Sequence, residues 1–119
     1  MKTMSRFAMT ALFCGLSMVA ASSVFAAPPK LEKILRPLSL FRGPVQLPLD
    51  WCNPLSKNCG KATADAYCKK KYGQNTRAIS FAIAPKLGKT QTLGGEICTS
   101  PRPFNRCDGF TYITCAVMP

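Results

Sequence analysis

The chain has 119 residues, with 16 Lys and Arg against 5 Asp and Glu, no histidine, and a formal net charge of +11. That length holds one small domain, and the missing histidine removes both the usual acid–base catalyst near neutral pH and a common zinc ligand. The charge points toward anionic partners, and seven cysteines point toward crosslinks.

The N-terminus reads as a removable leader. Lys2 and Arg6 give a positive start, Phe7–Val19 is almost unbroken apolar sequence, and Val24-Phe25-Ala26 fits a small-x-small cleavage rule. The run is shorter than the roughly 20 apolar residues a spanning helix needs. Residues 1–26 are therefore expected to be a signal peptide, and no later segment is a transmembrane candidate. A lipoprotein reading of Cys14 fits poorly, because the bulky Phe13 precedes it. Cleavage after Ala26 leaves 93 residues, six cysteines and a net charge of +9. An even cysteine count in an exported chain this small predicts three stabilising disulfides. There is no Cys-x-x-Cys, so metal and redox readings are disfavoured, and no cofactor is expected.

Residues 27–50 carry five of the ten prolines and read as a Pro-rich basic tail and arm. Lys30–Leu35 is expected to form at most a helical turn or two in a mobile tail ending at Pro37. Leu38–Asp50 is expected to lie on the domain, with Val45–Leu49 as an edge strand. The compact domain is placed at 51–119.

Within it, Gly60–Tyr72 predicts a helix whose Ala64, Cys68 and Tyr72 face the core with Tyr67 beside them. Lys69-Lys70-Lys71 suits the helix C-terminus, and Gly73 stops it. Arg77–Ala84 alternates and predicts a half-buried strand, with Ile79, Phe81 and Ile83 on one face. After a turn at Pro85–Gly88, Lys89–Cys98 predicts another strand bulged at Gly94-Gly95. Gly109–Val117, apolar or β-branched on both faces, belongs at a sheet centre. The expected class is α+β, with one short helix on a three- to four-stranded, mostly antiparallel sheet.

Six cysteines allow fifteen pairings. The expected placement of the elements favours Cys98–Cys107 at the base of a Pro-rich loop, Cys68–Cys115 between helix and central strand, and Cys52–Cys59 around a short loop.

Five motifs, Leu49-Asp50-Trp51-Cys52, Asn58-Cys59-Gly60-Lys61, Ala64-Asp65-Ala66-Tyr67-Cys68, Cys107-Asp108-Gly109-Phe110 and Ile113-Thr114-Cys115, resemble small exported cysteine-rich proteins of bacteria and plants. The pattern covers most of the mature chain. The resemblance implies an exported disulfide domain; that group has no established activity, so no catalytic or binding residue is carried across.

Catalysis is not expected. Asp50 and Asp108 are the best carboxylate pair, but turn and capping roles explain both, and Ser56 and Ser100 have no histidine to activate them. Charge leads instead to a non-enzymatic, cationic, monomeric binding module for an anionic polymer or envelope glycan, secreted or periplasmic. Its candidate ligand-binding residues are Lys69, Lys70, Lys71, Arg77, Arg102, Phe104 and Arg106. Nucleic acid is disfavoured by the lack of a motif and by export. The alternative is an inhibitor or partner-binding protein of a secreted enzyme, acting through Arg102 and Phe104 of the Cys98–Cys107 loop. A neutral-sugar platform of Trp51 and Tyr112 ranks below both, and no long amphipathic face supports membrane disruption.

Overall fold

A computed structural model describes residues 27–100 and 107–119. The expected leader, Cys14 and the loop residues Arg102, Phe104 and Arg106 lie outside the described residues.

Strand β5 (Gly109–Val117) is the centre of a three-stranded antiparallel sheet, with β1 (Lys30–Leu35) on one edge and β2 (Thr76–Ala84) on the other. Helix α1 (Lys61–Tyr72) packs on one face, and β3 (Lys89–Gln91) pairs with β4 (Ile97–Thr99) in a separate hairpin. This is a small α+β domain, as its alternation of apolar patterns predicts.

β5 is a strand because its residues are β-branched, aromatic or small, and it is central because β1 and β2 pair with its two edges while the helix covers one face. Ile113 and Cys115 are fully buried, and Phe110 nearly so. The helix meets them with Ala64, Tyr67 and Cys68. Gly73 donates its N–H to the Lys69 carbonyl at 2.8 Å and ends the helix. Asp65 ties helix to sheet: its Oδ1 accepts the Ala78 N–H at 2.8 Å and its Oδ2 accepts Lys61 Nζ at 2.8 Å. Burial opposes ionisation of Asp65, but the Lys61 and Ala78 hydrogen bonds and the charges of Lys61 and Lys69 outweigh it and hold the carboxyl below its usual range.

Four local expectations are corrected. Lys30–Leu35 is not a helical turn in a mobile tail but an edge strand, in register from Lys30↔Val117 to Leu35↔Tyr112. Its helix-forming Lys, Leu and Glu residues are overridden by the open edge of β5. In β2 an extra residue, Ile79, sits between Ala78 (opposite Cys115) and Ser80 (opposite Thr114). This bulge turns both Ala78 and Phe81 toward the helix and leaves Ile79 and Ile83 exposed, so the expected Ile79–Phe81–Ile83 face does not form. Lys89–Cys98 is not one bulged strand; it folds back on itself, with Gly95 donating to the Thr92 carbonyl at 3.1 Å. Val45–Leu49 forms no strand either, only bridges from Pro48 to Leu38 and from Leu49 to Gln91.

The arm nevertheless lies on the domain. It closes on itself through Ser39 N–H to Leu47 O (2.9 Å) and Leu49 N–H to Pro37 O (3.0 Å). Ser39 Oγ then donates to the Thr92 carbonyl at 2.9 Å, and Leu49 is fully buried. Two glycines permit this approach. A Cβ at Gly109 would stand 2.7 Å from the Leu49 carbonyl oxygen, and one at Gly95 would stand 2.6 Å from the Phe41 ring. Gly95 also has φ +100°, which side chains disfavour.

The three disulfides are Cys52–Cys59, Cys68–Cys115 and Cys98–Cys107, the favoured set. Their sequence separations differ, and so should their contributions. Replacing both Cys68 and Cys115 (47 apart) by Ala should cost about 4 kcal/mol of unfolding free energy, and replacing Cys52 and Cys59 (7 apart) about 2.5 kcal/mol, from loop-closure entropy. Denaturant titration of the two double variants measures this; equal losses or the reverse order would mean native contacts outweigh chain entropy.

Candidate functional site: a cationic cleft without carboxylates

The end of β1, the closed arm and the second half of α1 enclose a cleft of about 480 Å³. Arg36 and Arg42 line it from the arm, Lys71 from the helix, with Ser39, Gln46 and Tyr67. None of the five acidic residues is in its wall. The side-chain chemistry is cations, hydrogen-bonding groups and an apolar border, which suits a ligand carrying anionic and hydroxyl groups.

Helical geometry explains why Lys71 is there and its neighbours are not. Consecutive helix residues point about 100° apart, so a run of three lysines cannot form one patch. Lys69 borders a shallow cavity of about 230 Å³ with Arg77, and Lys70 Nζ reaches the Leu93 carbonyl at 3.4 Å. Lys71 alone joins the cleft. The residues singled out from sequence are thus split: Lys69 and Arg77 together, Lys70 on the β3–β4 turn, Lys71 with two arginines. Arg36, Arg42 and Tyr67 escaped notice as site residues. Their charge and aromatic character were visible, but their convergence depends on β1 pairing and arm closure.

Arg36 is held in an unusual backbone. Its φ is +47°, although it is neither Gly nor Asn and precedes proline, and its N–H donates to the Thr111 carbonyl at 2.8 Å. Both features disfavour this conformation, so the sheet and the arm on either side must impose it.

The acids are occupied elsewhere. Asp50 accepts from Thr90 Oγ1 and from the Cys52 N–H (2.8 Å). Asp108 accepts the Lys86 N–H at 3.0 Å, and Glu96 the Leu55 N–H at 3.1 Å. Glu32 pairs with Lys30 at 3.3 Å. Among the described residues, only the side-chain ammonium groups of Lys30 and Lys61 form ion pairs with a carboxylate within 4 Å. Arg36, Arg42 and Lys71 meet no carboxylate in the cleft wall, and in a cleft a field of one sign is focused.

Asp50 and Asp108 do approach one cavity, of about 280 Å³, beside Trp51. Each is engaged in the backbone hydrogen bond described above. Trp51 packs on Phe110 and Phe81 at ring-centroid distances of 4.7 and 5.8 Å. Tyr112 lies on the other sheet face, bonded to Ser80 Oγ at 2.8 Å with Lys33 over its ring at 4.5 Å, so Trp51 and Tyr112 form no joint platform.

No protein-family model matches the chain, and no curated protein or solved structure is significantly similar to it. No helix among the described residues is long and apolar enough to cross a membrane.

Burial, with a smaller effect from Tyr72, pushes the Tyr67 phenol up to about 12. The fold therefore favours the neutral hydroxyl, a donor at the cleft wall. Its stabilising contribution is complete below the ordinary phenol pKa of 10 and is lost as pH rises toward 12. Ultraviolet titration should resolve one phenol of the three ionising near 12, absent in Tyr67→Phe. Midpoints close to 10 for all three would contradict this, since no phenol would then stand above the reference range.

Proposed function

We propose that this chain is an exported, non-enzymatic binding module whose cationic cleft holds an anionic polymer of the cell envelope or extracellular space. One observation carries the reading: Arg36, Arg42 and Lys71 converge, with the buried Tyr67, on a cavity whose wall contains no carboxylate. Guanidinium groups match phosphate, sulfate and carboxylate geometry, and a one-signed cleft raises the local concentration of such groups. Export is supported by the apolar leader-like start and by three disulfides, which persist in oxidising compartments.

Net charge alone would make any cationic protein stick to anionic resin, so the test must hold charge constant. Arg36→Gln/Arg42→Gln/Lys71→Gln should elute from an immobilised sulfated or phosphorylated polysaccharide at much lower salt than wild type. It should also lose about two to three from the log K against log salt slope, roughly one per anionic contact. Lys57→Gln/Lys86→Gln/Lys89→Gln removes the same charge away from the cleft and should elute close to wild type. Equal losses in the two variants would reduce the cleft to general cationicity.

A further inference from the structure

The cationic cleft does not stand alone. A second cavity of about 370 Å³ adjoins it, and Arg36 and Leu38 line both. The second cavity is apolar: Pro48, Ala84, Leu87 and Phe110 complete most of its wall. Leu38 and Leu87 are about 41% and 40% exposed, so the chain leaves aliphatic surface facing this space, while Phe110 beneath is only 3% exposed. Its volume lies within the range of small-ligand pockets.

The arrangement has a direction. Arg42 and Lys71 line only the first cavity, Arg36 stands at the junction of the two, the rest of the second wall is mostly hydrocarbon, and the segment itself is clamped. Arg36 N–H donates to Thr111 O at 2.8 Å, and Leu49 N–H donates to Pro37 O at 3.0 Å. The strained φ of +47° at Arg36 sits at this junction, where the sheet ends and the arm begins. A purely hydrophilic polyanion would use the first cavity and leave the second in water. A neutral hydrophobe would do the reverse. A ligand with a charged head and a short hydrocarbon chain uses both.

We propose that the two cavities form one bipartite site for an anionic amphiphile, with a phosphate or carboxylate head against Arg36, Arg42 and Lys71 and an acyl chain between Leu38, Pro48, Leu87 and Phe110. This rests on the reading of the cleft as an anion site and narrows it to acylated anions. Burial of the chain adds affinity roughly in proportion to the area removed from water, and the head sets orientation.

The test titrates the full oxidised chain lacking residues 1–26 with inorganic phosphate and with ethyl, butyl, hexyl and octyl phosphate below their aggregation concentrations. Octyl glucoside is the neutral-head control. The dissociation constant should tighten with chain length by up to about fourfold per buried methylene. Octyl glucoside should bind at least tenfold more weakly than octyl phosphate. Ala84→Phe, which fills the apolar cavity, should flatten the chain-length dependence while retention on anionic polysaccharide stays at the wild-type level. Leu87→Ser, outside the sheet, gives the same comparison without altering β2. Polysaccharide retention without any chain-length dependence would overturn the amphiphile proposal and leave the polyanion reading standing. Octyl glucoside binding as tightly as octyl phosphate would also overturn it, because the head would then play no part. Failure of both phosphates and polysaccharide to bind would overturn the two readings together.

Discussion

Everything else in this fold depends on the Cys68–Cys115 bond between α1 and β5. Both sulfurs are buried, and the bond closes the longest loop of the three disulfides. It fixes the helix over the central strand, where Ala64, Tyr67 and Ile113 fill the space between layers. A core of this size is small, and a crosslink worth about 4 kcal/mol is comparable with the whole stability of a marginal domain. The bond also shapes the cleft. By fixing the helix it fixes Tyr67 and Lys71, four positions apart and so on one helix face, against the arm that brings Arg36 and Arg42.

The use of acidic side chains completes the picture. Asp50, Asp65, Glu96 and Asp108 each accept a backbone N–H from a turn, a strand edge or a loop. With little regular structure between residues 36 and 60, these carboxylates serve as hydrogen-bond acceptors that hold irregular backbone. The result is a surface whose cations are mostly free of acidic partners. Structure and electrostatics are therefore coupled: using the few acids as internal acceptors is what leaves the cleft one-signed.

Much of the architecture was legible because local signals and burial agreed. The helix over 60–72 has alanines, a stop glycine and a core-facing Cys68, and β5 has a two-faced apolar run. Their adjacency favours Cys68–Cys115, while the loops that Cys98/Cys107 and Cys52/Cys59 bracket favour the other two pairs. The errors share one cause, which is that pairing outweighs local preference. Lys30–Leu35 contains good helix formers, yet becomes a strand because β5 has a second open edge. Ile79 fits the alternation of β2, yet it is bulged out, and Ala78 and Phe81 on either side both reach the core. Gly94-Gly95 reads as a bulge in one strand, but the N–H groups of Gly95 and Glu96 donate to Thr92 and make a turn. The cleft was the least legible feature. Three lysines in a row look like a patch, while the real neighbours of Lys71 lie far back in sequence at Arg36 and Arg42.

If the cleft is the anion site, anions bind at one place and not over the whole cationic surface. Amide chemical-shift mapping by ¹⁵N NMR, with a size-defined sulfated oligosaccharide added at low salt, tests it most directly. The largest shifts should fall at Arg36–Arg42, Gln46 and Tyr67–Lys71, saturating with one another. Comparable shifts at Lys57, Lys86 and Lys89, rising without saturation, would contradict it.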